Sequence, residues 1–406
     1  MDIKLSAVAV AGFALALAAP IAHAQPLPPT NANEMRAPNG KGQRPAFPGQ
    51  TRAPLDAKGV AYTVAPWATG LEHPWALAFL PDGRGLVTER PGRLRYVAKD
   101  GKLSAPIEGV PPVVAAQQGG LLDVALDPKF AANRRVYLTY LEPRGGGMSG
   151  IAVARAELDG PALANLKVIF RAEPAQADPK NMGSRIAFAA DGTMFVSIGD
   201  RFESMAQAQD LGSDLGKIIR IDTDGRPARG NPFVGRAGAR PEIWSYGHRN
   251  PEALAIDPRA GALWEVEHGA RGGDEVDIAA KGRNYGWPVI TYGIDYSGAP
   301  IGAGITQKPG LEQPLYYWDP VIAPSGMMFY TGDKFPAWKG SLFVSGLQAQ
   351  ALVRLTLNGD RIVGEERLLK EKQIYQRIRD VRQGPDGLIY VLTDSSAGVI
   401  YRLSPQ

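Results

Sequence analysis

The chain has no cysteine in 406 residues. That excludes disulfides, thiolate metal sites and cysteine nucleophiles. Beyond the N-terminal leader no apolar run approaches the roughly 20 residues a membrane-spanning helix requires. No segment of useful length carries the amphipathic helix period. An excess of one charge sign is also missing. The net charge is +4, of which residues 25–58 contribute +3 (Arg36, Lys41, Arg44, Arg52 and Lys58 against Glu34 and Asp56), and the chain from residue 59 onward is left at +1. A core that close to neutral carries no electrostatic footprint for nucleic acid.

The N-terminus has the grammar of export. Lys4 precedes an apolar run from Leu5 to Ile21, and Ala22-His23-Ala24 supplies a small-x-small cleavage pattern. Residues 1–24 are thus expected to be a signal peptide, which places the mature protein in the periplasm or outside the cell. The run is short and broken by Pro20, which argues against a retained membrane anchor. Residues 25–58 are rich in Pro, Gly, Asn and Arg and poor in apolar residues. Such a segment buries too little surface to offset its ordering entropy, and it is expected to be a disordered linker.

From residue 59 to 406 one pattern recurs six times: an apolar strand, a turn built on Asp, Pro or Gly, and a second apolar strand. Ala76–Glu89, Leu122–Tyr140, Arg185–Gly199, Ala253–His268, Gly326–Ser345 and Asp380–Thr393 are the copies. Each reads as a hairpin with period-2 strands, and several are followed by further strands, such as Lys217–Asp222 and Ala351–Leu357. The spacing is that of propeller blades with loop insertions. The expected fold class is all-β: a six-bladed β-propeller of four-stranded antiparallel blades, with a pair of β-sandwiches as the alternative. Val60–Ala65 is a strand-like segment before the first copy, expected to pair into the last blade and close the ring. Long insertions at 173–184, 201–216, 225–252 and 267–325 are expected to gather at one end of the channel.

Three loop segments carry chemistry. Arg249 lies in Tyr246-Gly-His-Arg-Asn-Pro. Arg377 and Arg379 alternate along a strand and so share a face. Converging guanidinium groups suit bidentate carboxylate binding, although any one of them alone reads as a solvated surface charge. Glu267–Asp277 holds four carboxylates among several glycines, and is either an oxygen-rich Ca²⁺ loop or a solvated turn.

Taken in order, Gln118-Gly-Gly-Leu-Leu-Asp-Val, Gly183-Ser-Arg-Ile, Gly199-Asp-Arg, Gly247-His-Arg-Asn-Pro, Glu267-His-Gly with Gly272-Gly-Asp-Glu, Asn284-Tyr-Gly-Trp-Pro, Ile322-Ala-Pro-Ser-Gly and Arg377-Ile-Arg-Asp-Val resemble the soluble pyrroloquinoline-quinone (PQQ) sugar dehydrogenases, the aldose sugar dehydrogenase branch in particular. The likeness runs from about residue 60 to the C-terminus. It implies a six-bladed propeller that oxidises aldose sugars at C1 to lactones and passes the electrons to a separate acceptor. PQQ carries three carboxylates and an ortho-quinone. By resemblance Arg249, Arg377 and Arg379 grip it, Gln118, Asn250 and Tyr296 contact it, and the stretches Leu347-Gln348-Ala349-Gln350 and Arg377-Ile378-Arg379 line it. Some relatives place a lysine where this chain has Gln348. Gly269 and Ala270 match carbonyl ligands of the Ca²⁺ that polarises the quinone; Glu275 and Tyr285 match a second, structural calcium site.

At one position the chain departs from this pattern. The family's general base is a histidine two residues before Gly-Ser-Arg, and here that residue is Asn181. The four histidines are at 23, 73, 248 and 268, none near this motif in sequence, and His248 and His268 read as loop-packing residues. Asparagine accepts no proton at neutral pH. Three explanations stay open: a quinone-binding propeller of weak or absent activity, a substitute base such as Asp178 or Asp200, or an asparagine peculiar to this one sequence. A calcium-dependent propeller hydrolase is the further alternative.

Overall fold

The computed structural model describes residues 33–372 and 374–406, so the expected signal peptide and the first part of the expected linker lie outside the described residues. Among the described residues helix is confined to one four-residue turn at Phe130–Asn133 and three short 3₁₀ turns. The rest of the regular structure is six small antiparallel sheets. The innermost strands are Pro74–Phe79, Leu121–Leu126, Gly183–Phe188, Pro251–Ile256, Pro324–Phe329 and Ile378–Gln383, and each packs on the innermost strands of the two blades beside it. This is the expected six-bladed propeller.

Five blades have four strands and the first has three. In blade 1 the chain turns after Val97 and runs back beside it: Ser104 N donates to Tyr96 O and Ile107 N to Leu94 O. Only Leu103 pairs with Val97 as a bridge. Pro106 has no N–H to give, so a full fourth ladder cannot form. Blade 6 closes as expected. Tyr62–Leu71, the strand that includes most of the orphan segment, is the outer neighbour of the C-terminal strand Gly398–Pro405. The two ends of the propeller thus belong to one sheet, which closes the ring.

The expectation of disorder across 25–58 is corrected for residues 33–58. They form an ordered strap along the outer strands of blades 4 and 5 (Tyr316–Trp318 and Arg361–Leu368). The Asp319 carboxylate accepts from Asn39 N, Asn39 Nδ2 and Gly40 N, each at 2.9 Å. Ala53 N donates to the Tyr316 hydroxyl, and Thr51 and Leu55 make parallel bridges to Tyr317 and Glu365. Glu34, Gln50, Thr51 and Ala53 are buried. Polar groups satisfied one by one hold this segment, so its low apolar content misled the composition argument.

Each innermost strand carries a register irregularity towards its N-terminal end, for example between Pro74 and Ala76, Pro251 and Ala253, and Ile378 and Asp380. A bulge re-aims the side chains around it and bends the strand away from its neighbour. Six of them at the same end open the mouth of the channel.

Deeper in the channel sits Arg185, 1% exposed. Its Nε donates to Glu252 O, Nη1 to Asp123 Oδ1 at 3.0 Å, and Nη2 to Ser325 O. Nη2 also lies 3.5 Å from Asp380 Oδ1, and the guanidinium stacks 4.2 Å over the Trp75 ring. One side chain from blade 3 therefore touches the innermost strands of all five other blades. Removing a buried charge whose partners stay behind costs about 3–5 kcal/mol. Arg185→Met should lower stability by about that amount in chemical denaturation, with buried Asp123 left only the more distant Arg382, at 3.7 Å, as a cation; a variant as stable as the parent would show that packing alone centres the ring.

Candidate active site

The segment at the third blade's entry is bent into an unusual backbone. Asn181, Gly183 and Ser184 have φ of 50°, 61° and 78°. Asparagine tolerates this left-handed region better than most side chains. At Gly183 a Cβ would come within 3.0 Å of backbone atoms from Ser197 to Gly199, so only glycine fits. His73, Gln117, Arg201, Phe202, Ala323 and Gln350 also have positive φ, and all belong to loops at the mouth. Non-glycine residues held in this region concentrate where geometry is specified by function.

Two chains of hydrogen bonds organise the mouth. In the first, Gln118 Oε1 accepts from Asn181 N at 2.7 Å, Asn181 Nδ2 donates to Asp200 Oδ1 at 2.8 Å, and Asp200 Oδ2 accepts from Trp287 Nε1 at 2.8 Å. Burial raises the Asp200 pKa, against the pull of Arg249. In the second, Asn250 Oδ1 accepts from Gly183 N, and Asn250 Nδ2 donates to Glu252 Oε1. Glu252 Oε2 pairs with Arg379 at 2.7 Å, and Arg379 with Asp394 at 2.9 Å. Asp394 also receives Arg377 (3.5 Å) and His73 (2.9 Å). Burial alone would raise Glu252 and Asp394. The facing side chains instead hold both well below the usual carboxylate range: His268 and Arg379 for Glu252; Arg379, His73 and Arg90 for Asp394. Gly199 lets the two chains touch, since a Cβ there would strike Asn181 O and Asn250 Oδ1.

Beside these chains lies a cavity of about 330 Å³, lined by Asp200, Phe202, Arg249, Ala270, Trp287 and Tyr296 among others. Arg249 stacks over Trp287 and donates to the Tyr296 hydroxyl at 3.3 Å. Its Nη1 also reaches the carbonyls of His268 (3.2 Å) and Gly269 (2.6 Å), so these oxygens face the mouth. The structure therefore assembles Gln118, Asn181, Arg249, Asn250, Gly269, Ala270, Tyr296, Arg377 and Arg379 at one end of the channel. Gln348 and Gln350 are exposed nearby on blade 5, and Leu347, Ala349 and Ile378 have buried side chains. Those three offer only backbone to a ligand.

Glu275 and Tyr285 lie apart, in a nest behind Arg249. Paired strands put Glu265 opposite Asp277 and Glu267 opposite Glu275, so four buried carboxylates share one face. Ligand atoms of Glu267, Glu275 and Asp277, and of His248, Glu265 and Glu267, lie within 4.8 Å of one another. Glu267 Oε2 also accepts from Arg249 N at 2.5 Å and Asn250 N at 3.1 Å, which ties the nest to the mouth. Glu265 Oε2 and Asp277 Oδ2 lack a hydrogen-bond partner, and Glu265 Oε1 faces only the His248 ring nitrogen at 3.2 Å. Burial and the charge of Glu267 push Glu265 up to about 7, with His248 opposing. Burial and neighbouring carboxylates also raise Glu275 and Asp277 well above the ordinary range. Oxygen-rich and short of hydrogen-bond donors, this nest fits a hard divalent cation, which would take the place of its protons. The Tyr285 phenol is not free to join it, because its hydroxyl donates to Ile278 O and its ring stacks on His248.

Sequence reasoning missed Glu252, Asp394, His73, Arg90 and Trp287. The resemblance did quote Trp287 within Asn-Tyr-Gly-Trp-Pro, and the constraint on Gly199 was a usable signal; the carboxylates paired with Arg379 gave none. Of the two substitutes considered for the base, Asp178 is engaged by Lys180 at 3.1 Å, and Asp200 stands directly behind Asn181.

The chain belongs to the glucose/sorbosone dehydrogenase family, whose description matches residues 71–402. These are oxidoreductases acting on sugars. The aldose sugar dehydrogenase YliI of Escherichia coli is 45% identical over 340 residues, covering 83% of this chain and 91% of that protein. The crystal structure of the soluble E. coli aldose sugar dehydrogenase in its apo form superposes with a TM-score of 0.82 at 44% identity, over 85% of this chain and 100% of the other. The PQQ-bound aldose sugar dehydrogenase of Streptomyces coelicolor gives a TM-score of 0.71 at 28% identity, over 87% and 100%.

The acid nest sets a pH dependence. Raised carboxylates make the folded state hold more protons than the unfolded state above about pH 4.5, so stability must fall as pH rises towards 7. Glu265 alone contributes on the order of 3 kcal/mol across that window. His248, raised to about 9 by Glu265 and Glu267 against the effect of burial, acts in the same direction above pH 6.5. Melting in EDTA should show Tm decreasing from pH 4.5 to 7; a flat or rising profile would mean that the folded nest holds no extra protons in this range.

Proposed function

We propose that this protein is an exported PQQ- and calcium-dependent aldose dehydrogenase that oxidises C1 to the lactone and hands electrons to a separate acceptor, with its proton-transfer step weakened by Asn181. The observation that supports this reading most is the convergence of Arg249, Arg377 and Arg379 with Gln118 and Asn250 on one mouth. Their surroundings fit an anionic ligand: buried Arg379 Nε has no hydrogen-bond partner. Arg249, Arg377 and Arg379 would hold its carboxylates, Gln118, Asn250 and Tyr296 its polar edge, and the backbone of Leu347–Gln350 and Ile378 its rim. The carbonyls of Gly269 and Ala270 would hold one Ca²⁺, and the Glu275 nest, with the Tyr285 backbone, a second. When bound, the quinone supplies the hydride acceptor and the adjacent Ca²⁺ the Lewis acid.

What the chain contributes at the reacting carbon is limited by Asn181. Its Nδ2 is committed to Asp200, which leaves Oδ1 to accept the sugar's C1 hydroxyl. The amide therefore orients the hydroxyl without removing its proton. Asp200 is the nearest carboxylate, with its pKa raised by burial, and is the candidate for residual proton uptake. Loss of a positioned general base lowers turnover by about 10²–10⁴, while orientation and the Lewis acid persist. A catalytically disabled, quinone-binding propeller is the second reading, and Asn181 is what favours it.

The test is Asn181→His, assayed with PQQ, Ca²⁺, an aldose and an artificial acceptor. A rise in kcat of at least about 10², with a new ionisation in the pH–rate profile near the histidine range, is expected. Equal turnover in both proteins would show that position 181 is not where the base is missing.

A further inference from the structure

We propose that Arg90, on blade 1, is a fourth guanidinium of the cofactor cradle and grips a carboxylate of the bound tricarboxylic quinone. The proposal rests on the quinone reading above and adds a residue to it. Arg90 follows the strand Gly85–Glu89. Its backbone is fixed at the mouth: Arg90 N donates to His73 O, and Arg90 O accepts from Leu121 N. Gly120, with φ of 145°, makes this approach possible, because a Cβ there would come 2.1 Å from Arg90 O. The glycine pair after Gln118 thus presses Arg90 against the Gln118 loop.

The guanidinium is poorly satisfied. Nη1 donates to Gln117 O, Nε is buried with no partner, and Nη2 stands 3.9 Å from Asp394 Oδ1, beyond hydrogen-bond reach. The buried arginines of the scaffold differ. Arg185, Arg201 and Arg354 each donate from Nε, Nη1 and Nη2. The carboxylate that stands beside Arg90, Asp394, is already shared by His73, Arg377 and Arg379. Burial, together with Arg379 and Arg377, lowers the Arg90 pKa despite Asp394 and Glu252, the mark of a cation with too little negative charge around it. Its side chain is 17% exposed, so part of it is within reach of a ligand. Five donors and one hydrogen bond leave room for a carboxylate. Gln348 brings no charge to the same mouth, and Arg90 adds to the positive charge that a triply anionic ligand needs.

The experiment titrates calcium-loaded wild type, Arg90→Gln and Arg90→Lys with PQQ by calorimetry at low and high salt, with melting curves to verify folding. Wild type should bind. Arg90→Gln should bind about 10–100-fold more weakly, with a smaller loss of affinity on adding salt. Arg90→Lys, which keeps the charge and loses the fork, should fall between them. If Arg90→Gln does not fold, Arg90→Lys decides: weaker binding supports the assignment and wild-type affinity overturns it. Wild-type affinity and salt response in Arg90→Gln overturn the assignment and leave the quinone reading intact. No binding by wild type overturns both.

Discussion

Arg185 holds the ring at its axis. Six twisted sheets arranged radially bring six short strands together at the centre, where side chains from all of them must fill one narrow space. Here that space is taken by a buried guanidinium whose donors and stacked face reach the other five blades. A hydrocarbon core could fill the same volume, but it would not prescribe which strand faces which. Asp123, Ser325, Asp380 and the Glu252 carbonyl each have one place around Arg185. That fixes blade register at the depth just below the mouth.

Above that level the same strands give way to bulges and left-handed residues. The exchange is physical: ladder hydrogen bonds are lost at the mouth, and the freed backbone and side chains point at a common centre. Asn250 and Glu252 lie two residues apart, just before and just inside the start of one strand. One reaches blade 3 through Gly183, and the other reaches blade 6 through Arg379. The acid nest beneath Arg249 repeats the theme at higher electrostatic cost, with four carboxylates on one sheet face that a cation or protons must offset. Stability and cofactor loading are thereby linked, because whatever binds the nest or the mouth binds only the folded ring.

The fold was legible because it is periodic. Hairpin turns such as Pro81-Asp82-Gly83 and Pro385-Asp386-Gly387 recur between apolar strands, and even the closing strand could be placed from its lack of any other partner. The strap was not legible. Asn39 and Asp319 are 280 positions apart, and nothing in a Pro- and Gly-rich stretch announces the acceptor that will order it. Glu252 and Asp394 were hidden likewise, because their meaning comes from Arg379, 127 and 15 positions away. Arg90 was passed over for a related reason: in Thr-Glu-Arg-Pro-Gly it reads as a surface cation, and only its unmet hydrogen-bonding groups distinguish it. Motif order located the residues that face the ligand, and not the residues that hold them in place.

The central claim is a quinone-holding sugar site that keeps its grip and its orientation while lacking an efficient base. The most direct measurement is a single turnover: calcium- and PQQ-loaded wild type mixed anaerobically with excess aldose and no acceptor, followed by the absorption of the bound quinone. The account predicts slow, stoichiometric reduction, with lactone formed one-for-one with quinone. Bound quinone that aldose leaves unreduced over many hours would contradict it and identify the mouth as a binding site without dehydrogenase chemistry.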